Sequence, residues 1–257
     1  MREHIILVDS EKCIGCSMCQ RDCPENNISI TNKKAVIKSQ SCMKCGHCVA
    51  VCPKAAVSIT GFDEPPIEIE NPTILNPKQL LSAIQTRRTI RQFKNQPVEP
   101  EVITQIIEAG RWTPSGHNAQ DVSYIVLRDN MERYEKIAVR LFRKLLPIVK
   151  LVNPSVKKAV IDDHFFFKKA PVAIMILSKS EINASLAASN MELMAQAHGL
   201  GVLYSGLFSR AVYLSKKLQK ALQLTHKDRV VTTLVLGYPN VNYRRTAQKD
   251  AAVIRNL

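Results

Sequence analysis

Cys13–Pro24 reads CIGCSMCQRDCP, and Cys42–Pro53 reads CMKCGHCVAVCP. Both stretches have the spacing C-x2-C-x2-C-x3-C-P without a mismatch. Short apolar runs flank them. Ile5–Val8 leads into the first stretch and Ile28–Ile30 follows it, while Ala35–Ile37 and Val57–Ile59 bracket the second. Such self-similarity predicts a pseudo-twofold module of strand, loop and strand. All eight Cys of the 257-residue chain lie between Cys13 and Cys52. A disulfide scaffold would spread its Cys or be shorter, so these are local ligands in a reducing compartment.

The spacing is that of the bacterial ferredoxin run. Three thiolates two residues apart wrap three irons of a cube. The fourth Cys of each run is carried off by the following Pro24 or Pro53 and ligates the other cluster. Two [4Fe-4S] clusters are expected, one on Cys13, Cys16, Cys19 and Cys52, the other on Cys42, Cys45, Cys48 and Cys23. Zinc is the competing ligand chemistry, but four-coordinate zinc needs two C-x2-C pairs per site and not a C-x2-C-x2-C triplet. Residues 1–60 are too few to hold much apolar core, so the clusters themselves must act as the core. Clusters of this kind move one electron at a time. The module is a wire, and the rest of the chain should contain what the wire feeds.

Residues 61–76 form a linker rich in proline, with Pro65, Pro66 and Pro72 ahead of Pro77, a composition that favours an extended spacer. From residue 77 to 257 the pattern mixes helices and strands. Asn76-Pro77-Lys78-Gln79 predicts a capped helix start, with Pro at the first helical position and Gln79 reaching back, and Leu80, Leu81 and Ile84 as the apolar face. A second helix is expected from Pro100, using Val102, Ile103, Ile106 and Ile107. Strands are expected at Val122–Leu127, Pro171–Leu177 and Val230–Leu236. Helices are expected at Met131–Val149, bent or ended by Pro147, at Asn183–His198 with Gly199 as its C′ residue, and from a Ser209 cap to Leu222. Strands separated by helices predict an α/β or α+β domain.

The formal charge is +14, with 46% hydrophobic and 5% aromatic residues. No basic run of five and no zinc-finger His pairing accompany the charge, so nucleic acid is not expected as a partner. The opening MREHIILVDSEK lacks a signal-peptide pattern, and the longest apolar run, PVAIMIL at Pro171–Leu177, is too short to span a bilayer. A cytoplasmic protein without a membrane partner is expected.

RRTIRQF at Arg87–Phe93 gathers three Arg and a hydroxyl behind a helix, a donor set that suits a phosphate, although an exposed basic face would look the same. The segment resembles the flavin-binding motif RRSxRxF of the nitroreductase family. Pro114-Ser115-Gly116-His117-Asn118-Ala119-Gln120 is similar to that family's PSxxNxQ segment, and its GHN form resembles the ferredoxin-fused branch. Gly199–Gly206 (GLGVLYSG) and Leu236–Pro239 (LGYP) match two further segments in order. The resemblance covers residues 77–250. It implies an α+β fold, an intertwined homodimer and one FMN at each of two subunit interfaces. It also implies that Arg87, Arg88, Thr89 and Arg91 hold the phosphate, ribityl chain and ring edge. Ser115 and Asn118 would reach the FMN from the partner subunit, Ser205 and Gly206 would offer backbone groups near the ring, and Arg245 and Lys249 would be the C-terminal basic contacts. The family's QPW triplet is replaced by Gln120-Asp121-Val122, which changes the outer wall of the substrate pocket. Two cluster dianions and a flavin phosphate would lower the charge to about +8, still basic enough to steer an acidic ferredoxin or flavodoxin.

The expected activity is that of an FMN-dependent oxidoreductase carrying electrons from the clusters to a small-molecule acceptor: a nitroaromatic, quinone or enone. NAD(P)H or an acidic carrier protein would be the donor. The second expectation is an electron-transfer or redox-sensing protein with no substrate of its own. No protein nucleophile or general acid is required, so no catalytic side chain is named. His117 is read as structural or ligand-lining. Trp112 is read as closing the helix–loop core, and His164 with Phe165, Phe166 and Phe167 as core or dimer packing. Ala187, Ala188 and Ala195 suit either a dimer seam or an ordinary buried helix.

Overall fold

A computed structural model describes residues 4–153 and 156–257; the charged opening residues 1–3 lie outside them. The chain forms two compact units. The first runs to Ile74 and takes in Ser115–Ala119; the second comprises Leu75–Pro114 and Gln120–Leu257. This differs from the expected boundaries at residues 60 and 77. The start of the linker is fastened to the first unit by Lys44, whose ammonium donates to Gly61 O and lies 3.9 Å from the Phe62 ring centroid.

In the first unit β1 (Ile6–Val8) pairs antiparallel with β4 (Val57–Ile59), and β2 (Ile28–Thr31) with β3 (Lys34–Ile37). The β2–β3 turn is Asn32-Lys33, both at positive φ of 49° and 57°, the conformation whose twist matches a two-residue hairpin. One-turn helices α1 (Met18–Arg21) and α2 (His47–Ala50) hold the third Cys of each quartet. Ile6, Ile28, Ala35, Ala56 and Val57 are buried together with Cys13, Cys19 and Cys48. Five small or medium apolar residues make a thin core, so the thiols occupy its centre.

The second unit is built on a four-stranded antiparallel sheet in the order β5 (Ser123–Leu127), β6 (Val172–Leu177), β8 (Val230–Gly237), β7 (Gly201–Tyr204). All six residues of β6 are buried, because helices cover both faces of the sheet. Ala173, Met175 and Leu177 face α5 (Met131–Val152), α7 (Gly206–Leu214) and α8 (Lys216–Ala221) together with Phe166 and Phe167. Val172, Ile174 and Ile176 face α4 (Pro100–Arg111) and α6 (Glu181–Ala197). Alternation in a strand sends successive side chains to opposite faces, so a strand covered twice reads as one apolar run.

Several expectations change. Helix α5 continues through Pro147 to Val152. The helix expected from a Ser209 cap is two helices. Ser209 is buried inside α7, its hydroxyl 2.9 Å from Thr233 Oγ1, and Ser215 caps α8 by accepting from the Leu218 N–H. Helix α3 (Pro77–Thr86) starts as expected, with Asn76 Oδ1 accepting from the Lys78 and Gln79 N–H groups. Its apolar face is not covered among the described residues: Leu80, Leu81 and Ile84 are 38%, 55% and 50% exposed. Ala187, Ala188 and Ala195 are fully buried within this one chain, so the ordinary buried helix accounts for them.

Segment Thr89–Phe93 lies against the edge of the sheet. Thr89 bridges Val202 in parallel, Phe93 bridges Pro239 antiparallel, and the Ile90 N–H donates to Val202 O at 3.0 Å. Two glycines permit this approach. A Cβ on Gly201 would meet Ile90 Cγ1 at 2.4 Å and Cβ at 2.8 Å, and one on Gly237, its cross-strand partner, would meet Pro171 Cδ at 2.7 Å. Gly201→Ala is therefore expected to destabilise the protein by about 1–3 kcal/mol, the cost of overpacking a site with no room. Gly116→Ala, with nothing within 4 Å of the added carbon, should be close to neutral. Denaturant midpoints of the two variants check both.

Candidate cofactor sites

The quartet loops are shaped by left-handed residues at equivalent places: Gly15 and Ser17 in the first, at φ 69° and 60°, Lys44 and Gly46 in the second, at 55° and 77°. Gly15 has no alternative, since a Cβ there would stand 2.3 Å from Lys33 O. A small cavity is lined by Cys13, Cys16, Cys19 and Cys52 with Ile30, Ala35 and Val57. Burial raises the Cys19 thiol above its ordinary pKa, and the neighbouring Cys52 and Cys13 add to the effect. Burial pushes Cys48 up to about 11, with Cys45 and Cys23 adding. The fourth Cys of each run thus stands with the other run's triplet. Among the described residues no three Cys, His, Asp or Glu side chains close on a single ion.

Backbone N–H groups are aimed at four of the sulfurs: Asn27 at Cys23 (3.3 Å), Ala56 at Cys52 (3.2 Å), Ala35 at Cys13 (3.3 Å) and Lys44 at Cys42 (3.3 Å). The first two are the same i+4 contact in each half of the repeat. His4 Nε2 lies 3.1 Å from Cys42 Sγ. Lys44 is a residue that motif reading passed over. It is 7% exposed in the middle of a Cys loop, and the signal available in the sequence was a lysine at the position where the first quartet has Gly15.

In the second unit, three of the four quoted segments converge. Arg87–Phe93 runs beside β7, the Lys94 N–H donates to Tyr238 O (2.8 Å), and the Asn240 N–H donates to Gln92 O (2.9 Å). Arg87 is not free: its guanidinium donates to Glu192 Oε1 at 3.0 Å, and Tyr204 OH donates to Glu192 Oε2 at 3.2 Å. Burial, then the Glu192 carboxylate, raises the Tyr204 phenol above its ordinary range. The Arg88 guanidinium lies 5.0 Å from the Tyr243 ring centroid, which brings the tail after β8 to the same segment. Thr89 is half-buried, while Arg91, Arg245 and Lys249 are exposed.

Ser205 differs from expectation. Its N–H donates to Thr233 O (2.8 Å), its hydroxyl to Phe166 O (2.9 Å), and its carbonyl accepts from Phe208. Its groups are engaged inside the domain. Gly206 opens α7, and the position of a Cβ there is empty to 4 Å. Ser115 and Asn118 belong to the first unit. The Asn118 amide donates to Lys44 O (2.8 Å) and Met43 O (3.2 Å). His117 has φ 50° in the turn Gly116–Asn118. Trp112 is 62% exposed and does not close a core.

Like Glu192, two further carboxylates have structural roles that the motifs did not assign. Glu135 is buried and accepts from the Phe166 and Phe167 N–H groups at 2.9 and 2.7 Å, with His164 Nδ1 at 3.6 Å. Burial raises its pKa against those hydrogen bonds. It pins Phe166 and Phe167 in the core. Asp121, in place of the expected pocket wall, accepts from Ser178 Oγ (2.7 Å), Asn183 Nδ2 (2.7 Å) and the Lys179 N–H (3.1 Å). Burial acts to raise its pKa, but the hydrogen bonds outweigh burial and hold it below the ordinary value. A groove of about 760 Å³ lined by Arg128, Arg133, Lys136, Arg140 and Lys217 contains none of the expected contacts.

The Nitroreductase family matches residues 84–238, and the 4Fe-4S dicluster domain matches residues 5–53. A protein of Archaeoglobus fulgidus named as an NADH dehydrogenase/NAD(P)H nitroreductase is 28% identical over 162 residues, 63% of this chain and 86% of its own length. The FMN reductase [NAD(P)H] of Bacillus subtilis is 26% identical over 168 residues, 63% of this chain and 66% of its own. The fold is shared with a nitroreductase structure from Desulfovibrio desulfuricans in complex with FMN (TM-score 0.52, 26% identity, covering 68% of this chain and 94% of that one). It is also shared with an FMN-bound nitroreductase from Bacteroides fragilis (TM-score 0.56, 16% identity, 69% and 99%).

Two outcomes are expected from substitution. Cys52→Ala should abolish the same cluster signal as Cys16→Ala, leaving about four of about eight irons per chain, because one cage draws on both runs; electron paramagnetic resonance with an iron count reads this. Asp121→Ala should lose about 1–2 kcal/mol at neutral pH. A carboxyl with a lowered folded pKa stabilises above its unfolded value and loses that contribution as pH falls. The gap to the parent should therefore close below about pH 4 in chemical denaturation.

Proposed function

The chain belongs to the nitroreductase family, and on that premise we propose that it is an iron–sulfur flavoprotein oxidoreductase whose electrons pass from two [4Fe-4S] clusters to FMN and on to a nitroaromatic, quinone or enone-type acceptor. Flavin and clusters supply the redox chemistry when bound, the flavin accepting one electron or two. The observation that carries the reading is the convergence of Arg87–Phe93, Gly201–Gly206 and Leu236–Pro239 in a chain that also holds a dicluster module.

The residues fit this chemistry. Arg88, Arg91 and Thr89 supply donors for a phosphate, with Arg245 and Lys249 on the following tail. Arg87 is paired with Glu192, so its role is to fix the segment, with the N–H groups not used in that pair as further donors toward an anion. Gly206, without a side chain at the start of α7, lets a flat ring approach backbone N–H groups. Ser205 supports it from behind by its bonds to Thr233 and Phe166. Ser115 remains in the proposed set as a contact from a second copy. A homodimer is part of the proposal: the uncovered Leu80, Leu81 and Ile84 of α3 are a face that a second copy would cover. NAD(P)H is the proposed donor, supported by the names of the relatives; an acidic ferredoxin or flavodoxin is the other, supported by the charge of +14.

Anaerobic reconstitution should give about eight irons and one FMN per chain. The reduced protein should then be reoxidised by a nitroaromatic with release of reduced product, and sedimentation should show a dimer. Reoxidation by an added ferredoxin or flavodoxin alone would replace the reductase with a relay. Protein that loads iron but never retains FMN in excess would defeat both.

A further inference from the structure

Asn118 stands outside the Cys-rich sequence, between α4 and β5, yet it is bonded into the second quartet. Its Nδ2 donates to Lys44 O at 2.8 Å and to Met43 O at 3.2 Å. The Met43 carbonyl and the Lys44 N–H belong to one peptide group, and that N–H donates to Cys42 Sγ at 3.3 Å. An unbroken series therefore runs from the Asn118 amide through the Met43–Lys44 peptide to a thiolate. Each bond in such a series polarises the next. Hydrogen bonds to cluster sulfurs favour the reduced form, which carries the extra negative charge.

The surroundings hold this arrangement fixed. Lys44 sits at φ 55° in the left-handed region, with its side chain buried and its ammonium engaged by Gly61 O and the Phe62 ring. On the other side, His117, Asn118 and Gln120 are all left-handed, at φ 50°, 49° and 46°. Non-glycine residues adopt that conformation only where neighbours impose it. The first quartet is furnished differently. Gly15 takes the place of Lys44, and the side-chain donor there, Lys34 Nζ, goes to Cys13 O at 2.6 Å.

We infer that Asn118 is a positioning residue for the second cluster: it fixes and polarises the Met43–Lys44 peptide against Cys42, and so raises the reduction potential of the cluster held by Cys42, Cys45, Cys48 and Cys23. This rests on the reading of the quartets as cluster ligands, and it takes Asn118 out of the flavin contacts that family resemblance implied.

The test is a redox titration of the anaerobically prepared full-length protein, followed by electron paramagnetic resonance, with iron and sulfide counts. Parent, Asn118→Ala and Asn118→Asp are compared. In Asn118→Ala one cluster should shift to lower potential by about tenfold in its one-electron equilibrium, or about 59 mV, while the other stays within a third of that. Asn118→Asp, which faces two carbonyls with a carboxylate, should shift the same cluster further in the same direction. The signals come only from loaded chains, so partial loss of iron in a variant does not hide the result. Unchanged potentials with both clusters present, or equal shifts of both clusters, would overturn the inference alone. A parent protein that never assembles two clusters would overturn it together with the proposed function.

Discussion

The close approach of Thr89–Phe93 to the edge of the sheet is the constraint on which the larger unit's site depends. It exists because two cross-strand partners, Gly201 and Gly237, have no side chains where Ile90 and Pro171 pack. Backbone hydrogen bonds then bind the segment to β7 at one end and to the residues after β8 at the other. Three stretches distant in sequence are thereby held at one place, with their Arg and Thr side chains carried on paired backbone and not on a free loop. A rigid mounting of this kind is what a cofactor contact needs if orientation is to be preserved.

Carboxylates do much of the remaining fixing. Glu192 holds Arg87 and Tyr204, Glu135 holds the Phe166–Phe167 backbone, and Asp121 ties the start of β5 to the entry of α6. Glu135 and Asp121 accept backbone N–H groups of irregular chain that would otherwise be left without partners, and Glu192 accepts from two side chains. A buried polar group without a partner costs more than the bond itself contributes, so such anchors are satisfied in full. The missing QPW triplet falls into this pattern: Asp121 is a structural staple.

The first unit obeys a different constraint. Its apolar core is too thin to hold two hairpin-like layers, and the thiols fill the centre. The two halves share the spacing and the i+4 N–H contacts to Cys23 and Cys52. They differ at the residue after the first intervening position, Gly15 against Lys44, and in which side chain supports the loop. A repeat equal in spacing thus becomes unequal in hydrogen bonding.

The sequence by itself determined the cluster module, because thiol spacing is a local property and the crosswise partner follows from the reach of the chain. It also determined β6, whose unbroken apolar run needs no partner to be recognised, and the Asn76 cap, whose donors lie two and three residues away. The four motif segments were legible as residue types in order. Only the tertiary structure decided that Ser205 faces inward, that Ser209 lies within a helix and caps nothing, that Leu80, Leu81 and Ile84 stay uncovered, and that the Asn118 amide reaches Met43 and Lys44. Each of these depends on what a side chain meets from a residue far along the chain, and neither period nor composition encodes that distance.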